Sequence, residues 1–215
     1  MRLQSVREEL VHYGRQLLEC RLTTGTGGNL SIFDRTSGLI AMTPSGLPYP
    51  ETRPEDILLL DPDGRVIECA PGRQPTSEWE LHLAIYRARP DVCAVVHTHS
   101  VHATALACAG QEIRNVHYLA AVGGSRIRCA PYATYGTPEL AGLCLEYLGR
   151  NHAVLLGNHG LVTVAGDLPA AFGRAEHLEY VAQLQILTEA LGGARLLSQD
   201  QMQEVRDRFR SNPYR

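Results

Sequence analysis

AVVHTHSVHA, residues 94–103, is the stretch on which the reading of the fold turns. Together with Val92 and Cys93 its first half is short, apolar and β-branched, the composition of a strand covered on both faces. It runs into SVHATALACAG, a short helical stretch stopped by Gly110. A buried strand feeding a helix is the unit of an α/β protein. The same ten residues carry His97, His99 and His102. Side chains two apart on a strand leave the same face, so His97 and His99 can meet one ion at ~2.0–2.1 Å from each nitrogen while Thr98 points the other way. On spacing alone, a pair of hydrogen-bonded core histidines explains the pattern equally well. His102 falls on the helix and faces elsewhere.

Upstream, residues 3–22 place Leu3, Val6, Leu10, Leu17 and Leu18 at helical intervals, which predicts an amphipathic helix ending at TTGTGGN. Short apolar runs follow (NLSIF, GLIAM, DILLLD), split by Gly, Pro and Asp, and PDG at 62–64 turns the chain into RVIEC. This is the pattern of a strand meander ending in a hairpin. TSEWELHLAIYRARP predicts a helix, with Ser77 and Glu80 spaced as a capping box and Pro90 as its stop. Downstream come a loop, a strand near RIRCAP, a helix over PELAGLCLEYLGR, the strands AVLL and LVTVA around GNHG, and helices over about 168–191 and 198–210. No linker or repeat divides the sequence. It predicts a single mixed α/β domain over 1–215, with a core at about 3–192 and a C-terminal helix and tail at 193–215.

Composition narrows the class. A chain 44% hydrophobic and 20% charged is globular, and a net charge of -3 offers no basic excess for nucleic acid or an anionic membrane. No apolar run nears the ~18 residues of a membrane span. The six cysteines form no C-x-x-C pair, and the start, MRLQSVREEL, is charged where a signal peptide is apolar. The expectation is a cytoplasmic protein with reduced thiols.

A third ligand has to come from elsewhere, and His159 in GNHG is the best candidate. It follows an apolar strand, and flanking glycines leave room for an ion. His12, His117, His152 and His177 have no such context. Three neutral ligands leave a coordination position open, as in catalytic zinc sites, whereas structural zinc closes its site with four. Such a site needs a base, and Glu78 stands at the first turn of the 76–89 helix, where its alternative role is to complement the helix dipole. TGTGGNLS (24–31), TPSG (43–46) and PTSE (75–78) offer hydroxyls and amides suited to one phosphate monoester. No P-loop is present for a nucleotide triphosphate.

GTGGNLS, TPSG, PTSEWELH, AVVHTHS, VHYLAAVGG, CAPYATYGT and LLGNHGL resemble, in order and spacing, the class II aldolase and adducin family, and within it the fuculose-phosphate aldolase branch. The resemblance runs from about residue 3 to 192. It implies a three-layer α/β/α domain around a mostly antiparallel sheet, one zinc ion per subunit on His97, His99 and His159, and Glu78 as proton donor and acceptor. It also implies phosphate contacts at Gly28, Asn29, Ser45, Gly46, Thr76 and Ser77. Tyr118 matches a tyrosine that reaches the neighbouring subunit's site in a homotetramer, and Tyr135 falls at the aldehyde pocket. Thr76 stands where many fuculose-type members carry serine, and Tyr214 is the one candidate for the family's C-terminal tyrosine. The activity implied is reversible cleavage of a ketose 1-phosphate, foremost L-fuculose 1-phosphate, to dihydroxyacetone phosphate and an aldehyde such as L-lactaldehyde. The alternatives are 5-deoxyribulose 1-phosphate aldolase and methylthioribulose 1-phosphate dehydratase, which keep a glutamate at the position of Glu78, and ribulose-5-phosphate 4-epimerase, which carries aspartate there. A non-catalytic adducin-like binding module is the reading from another class, and it predicts loss of ligands that are present here.

Overall fold

The structure is a computed structural model that describes residues 1–211. The position of Tyr214 lies outside the described residues. Helix α1 (Gln4–Glu19) leads into strands β1 (Asn29–Asp34), β2 (Leu39–Met42), β3 (Leu58–Leu60) and β4 (Val66–Glu68). Helix α2 (Trp79–Ala88), strand β5 (Ala94–Thr98) and helix α3 (Val101–Cys108) follow. Then come β6 (Cys129–Ala130), α4 (Pro138–Leu148), β7 (Ala153–Leu156), β8 (Gly160–Ala165), α5 (Leu168–Glu189) and α6 (Gln199–Ser211). The strands form one sheet in the order β4-β3-β2-β1-β5-β8-β7-β6. Every neighbouring pair is antiparallel except β6 with β7.

The apolar run at 94–96 puts β5 at the centre of this sheet. All five of its residues are buried, because helices cover both faces. Ala94 and Val96 pack with Leu10 and Leu17 of α1, Leu106 of α3 and Leu178 and Val181 of α5. Val95 packs on the opposite face with Leu83 and Ile85 of α2 and Leu140 and Cys144 of α4. A fully buried Val or Leu contributes about 1.5–3 kcal/mol relative to an exposed one, so the alternation of β5 fixes its register firmly. The result is the α/β fold expected, with three layers. By the same alternation His97 shares the face of Val95, the face that α2 covers. That parity brings the start of α2 over the histidine.

The elements differ from expectation in four places. The capping box of Ser77 and Glu80 does not form: the residue flanking α2 is Glu78, which makes no side-chain capping bond because its carboxylate is turned into the molecule. Strand β5 ends at Thr98, one residue short of His99. Tyr118–Gly123, within the stretch read as a loop, is a 3-10 turn, and the strand near RIRCAP shrinks to two residues. All six cysteines are free thiols. Among the described residues no helix is long and apolar enough to cross a membrane.

Candidate metal centre and active site

β5 and β8 pair with Thr98 opposite Leu161, so the end of β5 lies beside the start of β8 and the turn that precedes it. His97 comes from β5. His99 leaves the strand but is held by its backbone N–H, which donates to Leu22 O at 3.0 Å. His159 sits in the short connection between β7 and β8, after Asn158 in the left-handed conformation (φ 54°), which asparagine adopts more readily than most residues. Gly160 makes the approach possible. A Cβ there would lie 2.2 Å from Thr98 O and 3.2 Å from His97 Cε1. Gly28 (φ +69°) plays the same part across β1, where a Cβ would meet His97 O at 2.6 Å.

The three imidazoles converge through their Nε2 atoms, with His99 and His159 at 3.0 and 3.2 Å from His97 Nε2. Glu78 Oε2 is also 3.2 Å from that atom. His97 Nδ1–H donates to Leu161 O at 3.1 Å, which leaves Nε2 at most one hydrogen for three polar neighbours. That nitrogen has a single in-plane site, so at least two of these contacts are left in conflict, without a good hydrogen bond. A cation between the nitrogens removes the conflict, and two ligand nitrogens bound tetrahedrally at the usual zinc distance are ~3.3 Å apart. The donor set fits a divalent metal of intermediate softness, and His97, His99 and His159 form such a group among the described residues. Glu78 Oε1, buried and without a hydrogen-bond partner, lies 3.4 Å from His159 Nε2 and completes the cluster.

Without an ion the charges of the cluster are coupled. Burial opposes protonation of His97, but Glu78 beside it outweighs burial and pushes its pKa up. Burial would raise Glu78, yet His97, His159 and the bond from Asn29 hold its carboxyl well below the usual range. Burial, reinforced by positive charge on His97, lowers His99 to about 3 and His159 to about 4. At neutral pH His99 and His159 are therefore held uncharged, while Glu78 favours the extra proton on His97. Metal uptake at pH 7 is expected to release no more than one proton per site, and affinity is expected to fall about tenfold per pH unit below the pKa of His97. Calorimetry in buffers of different ionisation heat measures this, and release of two or three protons would contradict it.

The cluster floors a cleft of about 460 Å³ lined by Gly28, Asn29, Ser45, Gly46, Thr76, Ser77 and Glu78. The three separated stretches of the sequence thus meet at one opening, and Tyr135 lines it as well. Asn29 also donates from its side chain to Glu78 Oε2 at 2.8 Å. Tyr118 is not among the residues lining this cleft. His102 is elsewhere too, its Nδ1 2.7 Å from Glu179 Oε1. Thr26, within the TGTGGNLS stretch, lines the cleft too, and the sequence reading did not single out Tyr132 and Asn158, which also line it, or His82, which is completely buried behind it. The signal for His82 was its place one helical turn after Glu78.

The model of the class II aldolase and adducin N-terminal domain matches residues 8–186. The chain belongs to this family. In keeping with that membership, it is 47% identical to a 5-deoxy-D-ribulose 1-phosphate aldolase of Bacillus thuringiensis serovar kurstaki, over 97% of both chains. It is 36% identical to the L-fuculose phosphate aldolase of Escherichia coli K12, over 98% of this chain and 97% of that one. A solved L-fuculose 1-phosphate aldolase superposes with a TM-score of 0.94 at 41% identity, covering 98% of each chain. The triad of His97, His99 and His159 is consistent with the divalent metal typical of class II aldolases.

Proposed function

We propose that the chain is a zinc-dependent aldolase of ketose 1-phosphates, and that its preferred substrate is a 5-deoxypentulose 1-phosphate of the 5-deoxyribulose type. The histidine triad with Glu78 against it, on the floor of a polar cleft, carries the aldolase reading. The 47% identity over nearly the full length to an enzyme named for 5-deoxy-D-ribulose 1-phosphate favours that substrate over L-fuculose 1-phosphate, the first expectation from sequence. Both substrates share the phosphate, the C2 carbonyl and the C3 hydroxyl. They differ beyond the bond that breaks, since cleavage between C3 and C4 yields dihydroxyacetone phosphate from both, with acetaldehyde from the first and lactaldehyde from the second.

His97, His99 and His159 would hold the ion, which supplies Lewis acidity to the substrate oxygens. The amides and hydroxyls of Gly28, Ser45, Gly46, Thr76 and Ser77 receive the phosphate at the mouth of the cleft. Breaking C3–C4 leaves an electron pair on C3. Glu78, as the acid, returns a proton to that carbon, which becomes the hydroxymethyl of dihydroxyacetone phosphate. In the condensation direction the Glu78 carboxylate removes the same proton. The C4 hydroxyl must lose its proton as the aldehyde forms, and we assign this to Tyr118 of a second copy in a homotetramer, since Tyr118 does not line the cleft of its own chain. Tyr135 flanks the aldehyde end.

Release of dihydroxyacetone phosphate from a panel of ketose 1-phosphates tests the assignment. The expected result is a kcat/KM for 5-deoxyribulose 1-phosphate at least about tenfold above that for L-fuculose 1-phosphate, the scale of one small group in a pocket. The reverse order would return the assignment to the fuculose branch.

A further inference from the structure

Behind Glu78 lies a run of buried polar side chains that the chemistry above does not use. Asn29 Nδ2 donates to Glu78 Oε2 at 2.8 Å, and Asn29 Oδ1 is 2.5 Å from His82 Nε2. His82 Nδ1 is 2.6 Å from Ser31 Oγ, which is 2.7 Å from the Tyr86 hydroxyl. The Tyr86 hydroxyl also lies 2.9 Å from the backbone O of Ser31, so its one hydrogen is shared between the two Ser31 oxygens. Asn29 and Ser31 stand on β1 with their side chains on one face, and Glu78, His82 and Tyr86 are each four residues apart along the start and body of α2. The chain of contacts therefore stitches the base-bearing helix to the strand beside the metal centre. Asn29, Ser31 and His82 are all buried, and His82 has no exposed surface at all.

Hydrogen-bond polarity in this chain is dictated from its Glu78 end. A carboxylate accepts only, so the amide of Asn29 must present its NH2 to Glu78 and its oxygen to His82. An amide oxygen also accepts only, so His82 must carry its hydrogen on Nε2. Its bare Nδ1 then accepts from the Ser31 hydroxyl. Burial pushes the His82 pKa down to about 3, which keeps the ring neutral and so able to hold this one tautomer. If Asn29 were flipped, its oxygen would face a carboxylate, and the link to Glu78 would fail.

We propose that His82 is a positioning residue for the base: by donating from Nε2 to Asn29 Oδ1 it locks the Asn29 amide in the one orientation that anchors Glu78 Oε2. Glu78 Oε1, which has no hydrogen-bond partner, is thereby left as the oxygen available for proton transfer. Without His82 the Asn29 amide is free to turn, and the carboxylate loses the bond that fixes its rotamer. The inference rests on Glu78 acting as the proton carrier of the proposed aldolase, so its test reads that step without the aldehyde half.

The experiment follows exchange of the hydroxymethyl hydrogen of dihydroxyacetone phosphate in D2O by zinc-loaded protein. His82→Leu is expected to slow exchange and cleavage about 10–100-fold, with zinc content retained and KM within about twofold, the size of effect seen when an outer partner of a metal site is removed. His82→Gln, whose amide N–H can still reach Asn29 Oδ1, is expected to recover most of that loss, whereas His82→Asn is too short to do so. In a Glu78→Gln background His82→Leu should cost little more. Equal loss in the leucine and glutamine variants, or a lowered Tm with unchanged exchange in His82→Leu, would reduce His82 to a packing residue and overturn the proposal. Absence of exchange in the unmodified protein would overturn the aldolase reading and this inference with it. 15N chemical shifts of the His82 ring in the unmodified protein give a readout that needs no substitution. They should report hydrogen on Nε2 and a bare Nδ1, and the opposite tautomer refutes the polarity on which the proposal stands.

Discussion

Glu78→Gln is expected to lower kcat for cleavage by ~10²–10⁴-fold while zinc content stays at one per chain. Glutamine keeps the shape of the side chain and still accepts from Asn29 through its amide oxygen, so the link of α2 to β1 survives. It cannot carry the proton. The substitution also removes the negative charge that pushes the His97 pKa up, so the three imidazoles become easier, not harder, to strip of protons for a metal. Metal analysis and steady-state kinetics on the same preparation check both halves. Turnover within tenfold of the unmodified enzyme would move the proton transfer to another group.

Gly160→Ala is expected to weaken zinc binding ~10–100-fold and to lower turnover in proportion, although it touches no candidate ligand. The new methyl would fall 2.2 Å from Thr98 O and 3.0 Å from His99 Cδ2. Backbone cannot yield there as a flexible side chain would, because β5 and β8 are paired through Thr98 and Leu161 in the centre of the sheet. Relief comes only by parting the two strands, which carries His97 and His99 away from His159. Overpacking of this kind costs about 1–3 kcal/mol of stability, so the Tm falls as well. Equilibrium dialysis against a zinc buffer gives the affinity directly. An unchanged zinc affinity would show that the cluster does not depend on the close contact at Gly160.

The metal centre was legible in the sequence because its determinants are local. Alternation in AVVHTH places His97 on a buried face, and glycine on either side of the Asn158–His159 pair marks a close approach. His99 shows the limit of that reasoning: it lies just past the strand, and its direction is set by the bond to Leu22 O, a contact from a distant loop. The capping box at Ser77 failed for a related reason. A local rule gave Ser77 and Glu80 the start of α2, but three-dimensional proximity to His97 and Asn29 draws the Glu78 side chain inward and sets where the helix begins. The resemblance implied a phosphate contact at Asn29. Only the packing of α2 on β1 brings its amide between Glu78 and His82. The assembly of three remote stretches, at 26–29, 44–46 and 76–78, into one cleft likewise depends on a sheet order that places β1 beside β5, which periodicity does not specify.

The most direct measurement of the account is dihydroxyacetone phosphate release from 5-deoxyribulose 1-phosphate by protein stripped with a chelator and then titrated with zinc. Turnover is predicted to vanish on stripping and to return in proportion to zinc, saturating at one ion per chain. Undiminished turnover in the stripped protein, or none in the zinc-loaded protein, would contradict it.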